Sequence, residues 1–177
     1  MLNTRRNPSY HKGRTKATIK FCDYIPKGEK VLDIGEPNPL SRELGERLGV
    51  VIHNTVSDLD NFIFTDIHIP FGKYRWATCF EVIEHLMNPR SFFENLYNIT
   101  TTGATVFLSY PSRPKWMWNN EEHFHEYDKL RFKYLLEKTG WKIVRKKPVY
   151  VRRWPTGIRP LLRNFIPQTT LYELRKI

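Results

Sequence analysis

Lys30-Val31-Leu32-Asp33-Ile34-Gly35-Glu36-Pro37-Asn38-Pro39 is the stretch on which the rest of the chain is read. Lys30 to Gly35 is a short apolar run with β-branched residues, ended by glycine, the pattern of a strand buried on both faces. Beyond the loop Glu36–Pro39, Leu40, Leu44 and Leu48 recur every four residues and Gly49 follows, which predicts an amphipathic helix and its stop. Val50-Val51-Ile52 starts a second strand. Strand, tight loop, helix, strand opens a doubly wound sheet. The expected fold is therefore α/β: a Rossmann-like, doubly wound sheet, mostly parallel with an antiparallel final strand and helices on both faces. In such sheets ligands bind beyond the carboxyl ends of the strands.

Working outward, Thr65 to Phe71 gives a short third segment, and Trp76 to Phe80 reads as a fourth strand that delivers Glu81 to the carboxyl edge. Asn88-Pro89 reads as an N-cap followed by proline at the first helical position. The helix it opens would bury Phe92, Phe93, Leu96 and Tyr97 and close at Thr102-Gly103. Ala104 to Ser109 is a fifth strand, and Tyr110 to Glu122 is a loop long enough to bind something, with Trp116 and Trp118 either stacking on a ligand or anchoring the loop. Asp128 caps a helix over Lys129–Thr139, stopped by Gly140. Trp141–Val144 and Val149–Val151 read as two last strands. Upstream, Ala17 to Ile25 is a candidate helix stopped by Pro26-Lys27-Gly28.

Chemistry concentrates in Cys79-Phe80-Glu81-Val82-Ile83-Glu84-His85-Leu86. Glu81, Glu84 and His85 stand at i, i+3 and i+4, so one helical turn would align them. Such a face is either a solvated polar surface or an oxygen-rich site with one nitrogen, suited to Mg²⁺ or Mn²⁺ and less specifically to Zn²⁺.

The totals bound the answer. A chain of 177 residues suits one domain with a core. No apolar run approaches a membrane span, no secretory leader is visible, and Cys22 and Cys79 have no metal-type spacing, so a cytoplasmic, reduced protein is expected. Residues 1–20 carry six Lys/Arg and no acid, and residues 141–177 carry ten with Glu173 alone opposing them. The body between them is net acidic. This divides the chain into a basic arm (1–20), a domain (21–151) and a basic C-terminal extension (152–177) that the pattern does not place. Basic ends either solubilise the chain or meet an anionic partner, nucleic acid among them.

Val31-Leu32-Asp33-Ile34-Gly35, then Asp66-Ile67-His68-Ile69-Pro70-Phe71, then Glu81-Val82-Ile83-Glu84-His85-Leu86 resemble, in that order, class I S-adenosylmethionine-dependent methyltransferases. The branch resembled is the methyltransferase type 11, ubiquinone-biosynthesis-like one with an E-x-x-E-H element. His123-Phe124-His125-Glu126-Tyr127 before a helix ending Lys138-Thr139-Gly140-Trp141 fits the same branch. The resemblance covers about residues 28–150. It implies that Asp33, Gly35 and Glu36 cradle the methionyl part of S-adenosylmethionine. It further implies that Asp58 or Asp60 takes the ribose hydroxyls, that Asp66 and Ile67 hold the adenine, and that Phe80 covers part of the cofactor. Two sub-branches share the E-x-x-E-H element: small-molecule or lipid-linked O-methyltransferases, and small-RNA terminal-ribose 2′-O-methyltransferases. In both, the resemblance implies a divalent ion (Mg²⁺ or Mn²⁺) on Glu81, Glu84 and His85; in the RNA enzymes a later-loop histidine completes the set, a position that His123 matches better than His125. A metal-free reading makes Glu81, His85 and His125 the catalytic set, with His85 or His125 as general base.

One departure weighs on this. The family's G-x-G-x-G loop is here Gly35-Glu36-Pro37-Asn38-Pro39, with proline at both later glycine positions. Glycine there tolerates φ > 0 and a close ligand, whereas proline fixes φ and removes a donor. Either the loop takes another path that still admits the cofactor, or binding is weakened or lost. The expectation is thus O-methylation of a small or lipid-linked acceptor, with RNA ribose methylation and a non-catalytic binding module as alternatives.

Overall fold

A computed structural model describes residues 8–55, 74–112, 123–125, 127–150 and 167–177. Asp58, Asp60, Asp66, Ile67, Trp116 and Trp118 lie outside the described residues, as does the segment expected over 65–71. In chain order the elements are α1 (Pro8–Phe21), β1 (Lys30–Asp33), α2 (Pro39–Leu48), β2 (Val51–Asn54), β3 (Tyr74–Phe80), α3 (Pro89–Ile99), β4 (Thr100–Pro111), α4 (Lys129–Lys138), β5 (Trp141–Val149) and β6 (Thr169–Lys176). A single 3-10 turn over Ile83–His85 separates β3 from α3.

The six strands form one sheet in the order β2-β1-β3-β4-β6-β5. β1 pairs with β2 and β3, and β3 with β4, all in parallel. β6 runs antiparallel to both its neighbours. The inner strands β1, β3, β4 and β6 are mostly buried because both faces are covered there, whereas the edge strands β2 and β5 are largely exposed. Phe92, Phe93 and Leu96 of α3, with Phe132 and Leu136 of α4, pack on one face against Leu32, Leu108 and Leu174. Ile19 and Phe21 of α1, with Leu44 and Leu48 of α2, pack on the other against Val31, Phe107 and Leu171. Each such side chain contributes about 1.5–3 kcal/mol when taken fully out of water.

The doubly wound expectation holds, and the boundaries are corrected in four places. Helix α1 begins at Pro8, inside the stretch taken as irregular, and ends at Phe21 rather than Ile25. Helix α3 stops at Ile99, and β4 takes over at Thr100, so Thr102-Gly103 lies within a strand rather than closing a helix. Trp141–Val149 is one continuous strand, not the first of a pair. The antiparallel strand is Thr169–Lys176, drawn from the stretch the sequence left unplaced and inserted between β4 and β5. Edge strand β5 accommodates Pro148 because one side of its ladder needs no donor.

Candidate active site

The carboxyl ends of β1, β3 and β4 lie side by side, and the expected ligand position is there. Asp33 ends β1, buried, its two carboxylate oxygens accepting hydrogen bonds from Thr78 Oγ1 at 2.6 Å and Asn54 Nδ2 at 2.9 Å. Burial pushes its carboxyl up to about 6, against the opposing pull of hydrogen bonds from Thr78, Asn54 and Ser41. Gly35 then turns the chain at φ 118°, a conformation open to glycine and costly for other residues. The turn is pinned to the end of β2: Gly35 N–H donates to Thr55 Oγ1 at 2.8 Å and its carbonyl accepts from Asn54 Nδ2 at 3.1 Å.

The two prolines now have a physical account in part. Pro39 is the first residue of α2, where a fixed φ suits the helix and the missing N–H would have had no intrahelical acceptor. Asn38 is the N-cap, its Oδ1 accepting from Leu40 N and Ser41 N, both at 3.0 Å, while Ser41 Oγ accepts from Asn38 N, also at 3.0 Å. The third position of the glycine loop is therefore occupied by a well-capped helix start. Pro37 alone remains a departure in the loop proper.

Glu81 follows β3 with φ 57°, a left-handed conformation for a residue that has a Cβ. Such a backbone costs of order 1–3 kcal/mol and persists where its surroundings over-determine it. Here they do. Glu81 Oε1 accepts from Ser109 Oγ at 2.8 Å and from Thr169 Oγ1 at 2.7 Å, and Oε2 accepts from Arg14 Nη1 at 3.1 Å. Helix α1 and strands β4 and β6 each supply one of these donors. Arg14, Thr18, Asp33, Asn38, Ser41, Phe80 and Glu81 line a cleft of about 200 Å³. Phe80 and Asp33 thus both line this cleft, and Glu36 follows Gly35 in the exposed part of the loop.

The chain does not make the helical turn that would align Glu81 with Glu84 and His85. The left-handed step at Glu81 sends its carboxylate into the cleft, and the 3-10 turn after it buries Glu84 elsewhere. Glu84, His85 and His123 do come together, with one ligand atom from each within 4.8 Å of the others. His85 Nε2 stands 3.9 Å from Glu84 Oε1, and the rings of His85 and His123 meet edge to face at 4.9 Å. The segment around His125 is tied to the same turn: His125 N–H donates to the Glu84 carbonyl at 3.1 Å, and Tyr127 Oη donates to the Ile83 carbonyl at 3.2 Å. His125 Nε2 lies 3.3 Å from the Met87 carbonyl. A carbonyl can only accept, so Nε2 carries the proton and Nδ1 is the basic nitrogen of the neutral ring.

Sequence reasoning missed Arg14, Thr18, Asn54, Thr55, Ser109 and Thr169. Asn38 was within reach, because Asn38-Pro39 repeats the Asn88-Pro89 cap pattern. Arg14 and Thr169 had no local signal, since their roles depend on where α1 and β6 dock.

The methyltransferase domain family matches residues 9–146, and the chain belongs to that family, as a methyltransferase of the S-adenosylmethionine-dependent class. Its fold is similar to a SAM-dependent methyltransferase from Archaeoglobus fulgidus, with TM-score 0.68 at 14% identity, covering 94% of this chain and 97% of that one. It is also similar to Haemonchus contortus phosphoethanolamine N-methyltransferase 2 in complex with S-adenosyl-L-methionine, with TM-score 0.68 at 10% identity, covering 92% of this chain and 52% of that one. A third similar structure is the [4+2]-cyclase SpnF, with TM-score 0.69 at 9% identity, covering 99% of this chain and 85% of that one. No curated protein sequence matches the chain. Among the described residues, no helix is long and apolar enough to cross a membrane.

Proposed function

We propose that the protein transfers the methyl group of S-adenosylmethionine to an oxygen of a small or lipid-linked acceptor. The observation that carries this reading is that Glu81 of a charged cleft at the carboxyl edge (with Asp33 and Arg14) and Glu84 and His85 of an imidazole cluster (with His123) fall within five residues of sequence at the end of β3. Methyl transfer from a sulfonium needs two things of the protein: an oxygen held in line with the S–CH₃ bond, and a destination for its proton. In this reading the cleft holds the cofactor, with Asp33 and the Gly35 turn at its amino-acid end and Phe80 against it. His85 and His125 Nδ1 are the candidate proton acceptors.

The donor set also fits a divalent ion: Glu84, His85 and His123 would hold it through one carboxylate and two imidazoles. That mixture suits Mn²⁺ better than Mg²⁺, which prefers oxygen throughout. Glu81, with both oxygens engaged by the fold, stands outside the set. When bound, such an ion lowers the pKa of a coordinated hydroxyl.

The test is calorimetric titration with S-adenosylmethionine and S-adenosylhomocysteine, with and without Mn²⁺. Micromolar binding is expected, and no binding at millimolar ligand would sink the reading and favour a non-catalytic binding module. Turnover of hydroxylated acceptors should fall with a chelator and return with Mn²⁺; turnover indifferent to chelator would leave the imidazoles as metal-free bases. A second reading, methylation of an RNA terminal ribose, is favoured by the exposed Lys12, Lys16 and Lys20 of α1 and Lys142, Lys146 and Lys147 of β5. It requires RNA affinity that falls steeply with salt; salt-independent affinity would rule it out.

A further inference from the structure

A 3-10 turn of three residues is a weak element, because its hydrogen bonds are few and poorly aligned. The turn Ile83–His85 closes itself with two: His85 N donates to the Val82 carbonyl at 2.9 Å and Leu86 N to the Ile83 carbonyl at 3.4 Å, the second beyond the usual range. Its shape is secured from outside, by residues 125 and 127. Tyr127 Oη donates to the Ile83 carbonyl at 3.2 Å and the His125 N–H to the Glu84 carbonyl at 3.1 Å. Each carbonyl belongs to a rigid peptide plane, so the planes on either side of Glu84 are each held by one bond. Those two planes set the backbone dihedrals of Glu84, and with them the direction of its buried carboxylate toward His85 and His123. The His125 bond comes from the backbone and survives any change of side chain. The other rests on a single oxygen atom. The ring of Tyr127 meets Tyr110 at 5.4 Å, Phe132 at 5.5 Å and His125 at 5.8 Å, contacts that phenylalanine would make as well. Among the described residues, its hydroxyl has the Ile83 carbonyl as its one hydrogen-bond partner.

Resting on the reading that Glu84, His85 and His123 hold a divalent ion, we infer that Tyr127 is a positioning residue: its hydroxyl fixes the Ile83–His85 turn in the shape that brings these three side chains together, and so sets the affinity of the cluster for the ion. Tyr127 itself stands outside both the ligand set and the residues that line the cofactor cleft. It acts through one peptide plane. The consequence is specific: deleting the oxygen loosens the cluster and leaves the cleft, which Arg14, Asp33 and Glu81 line, as it was.

The experiment titrates Mn²⁺ into the whole chain and reads the free ion by electron paramagnetic resonance, in the wild type, Tyr127→Phe, Tyr110→Phe and His123→Ala. Affinity for S-adenosylhomocysteine and Tm are measured on each. Tyr127→Phe should weaken Mn²⁺ about 10-fold, the lower end of what losing a supporting hydrogen bond behind a metal ligand costs, and leave S-adenosylhomocysteine within about two-fold. Tyr110→Phe removes a hydroxyl contact with Tyr172, 3.0 Å long, from the same aromatic cluster without touching the turn, and should leave Mn²⁺ affinity unchanged. His123→Ala removes a ligand and should weaken Mn²⁺ more than Tyr127→Phe does. Unchanged Mn²⁺ affinity in Tyr127→Phe, or an equal loss in Tyr110→Phe, would mean that the hydroxyl only packs, and overturns the inference. So would a Tyr127→Phe chain that loses Mn²⁺ and S-adenosylhomocysteine alike, since the damage would then be general. A wild type that binds no Mn²⁺, or whose binding survives His123→Ala intact, sinks the metal reading and this inference with it. That outcome is distinct from a wild type that binds at the cluster and a Tyr127→Phe variant that binds equally well.

Discussion

Asp33 is a carboxyl that the fold keeps dry, 4% exposed at the end of β1. Its pKa rises from 3.8 to about 6, so the folded protein holds a proton there more tightly than the unfolded chain does. The stabilisation this gives is full below pH 3.8 and is lost as the pH rises through about 6, an effect of about 3 kcal/mol. Asp33→Asn cannot ionise. The difference in unfolding free energy between wild type and variant should therefore move by about 2.4 kcal/mol in the variant's favour between pH 4 and pH 7, most of the full effect. Urea titrations at both pH values measure this, and a difference that does not change with pH would contradict the assigned shift. Asp33 was legible as a carboxylate at the carboxyl end of a strand, beside the cleft, because strand, carboxylate and glycine follow one another in sequence. Glu81 was legible only as a carboxylate at a strand end. Its direction depends on one dihedral angle, and nothing in the residue types around it announces a left-handed step at a glutamate.

Among the elements, those with side-chain caps were the most readable. Asn88 and Asp128, read as caps, each accept from backbone N–H groups two or three residues on, and their helices start where they predict; Asn38 caps α2 in the same way, although the sequence reading left it in a loop. Helix α2 depends on its cap doubly, for its first turn also borders the cleft. Asn38→Ala should cost about 1 kcal/mol, a fall of roughly 2–4 °C in Tm for a chain of this size. Calorimetry reads that shift directly; a Tm unchanged within error would show that water replaces the cap without loss. Helix α1 was harder to bound, because its first turns carry Lys12, Arg14 and Lys16 with few apolar residues and no acid near its start. Its partners, Arg145 on the Phe21 carbonyl and Arg14 on Glu81, are 124 and 67 residues away in sequence.

At the scale of the whole molecule, β6 joins the sheet together. It buries Leu171, Tyr172 and Leu174 between β4 and β5, and its Glu173 pairs with Arg145 at 2.8 Å. Charge counting hid this strand, since Arg175 and Lys176 grouped it with the basic stretch before it. Its place in the sheet is a non-local pairing that periodicity does not reveal. Losing one buried leucine costs about 2–5 kcal/mol against a total stability of about 5–15 kcal/mol, so losing three large side chains together exceeds what the domain can spare. A chain ending at residue 166 should show no cooperative unfolding transition and weak near-ultraviolet circular dichroism; a sharp melt would mean that β5 can pair with β4 directly. The order of synthesis gives the same feature another meaning. About 20 residues separate the end of β5 from the start of β6, roughly 1–4 s of elongation during which β5 has no neighbour and the outer edge of β4 stands open. The nascent protein is therefore exposed to misassembly until β6 leaves the ribosome, and it gains Thr169, a hydrogen-bond donor to Glu81, in that same step.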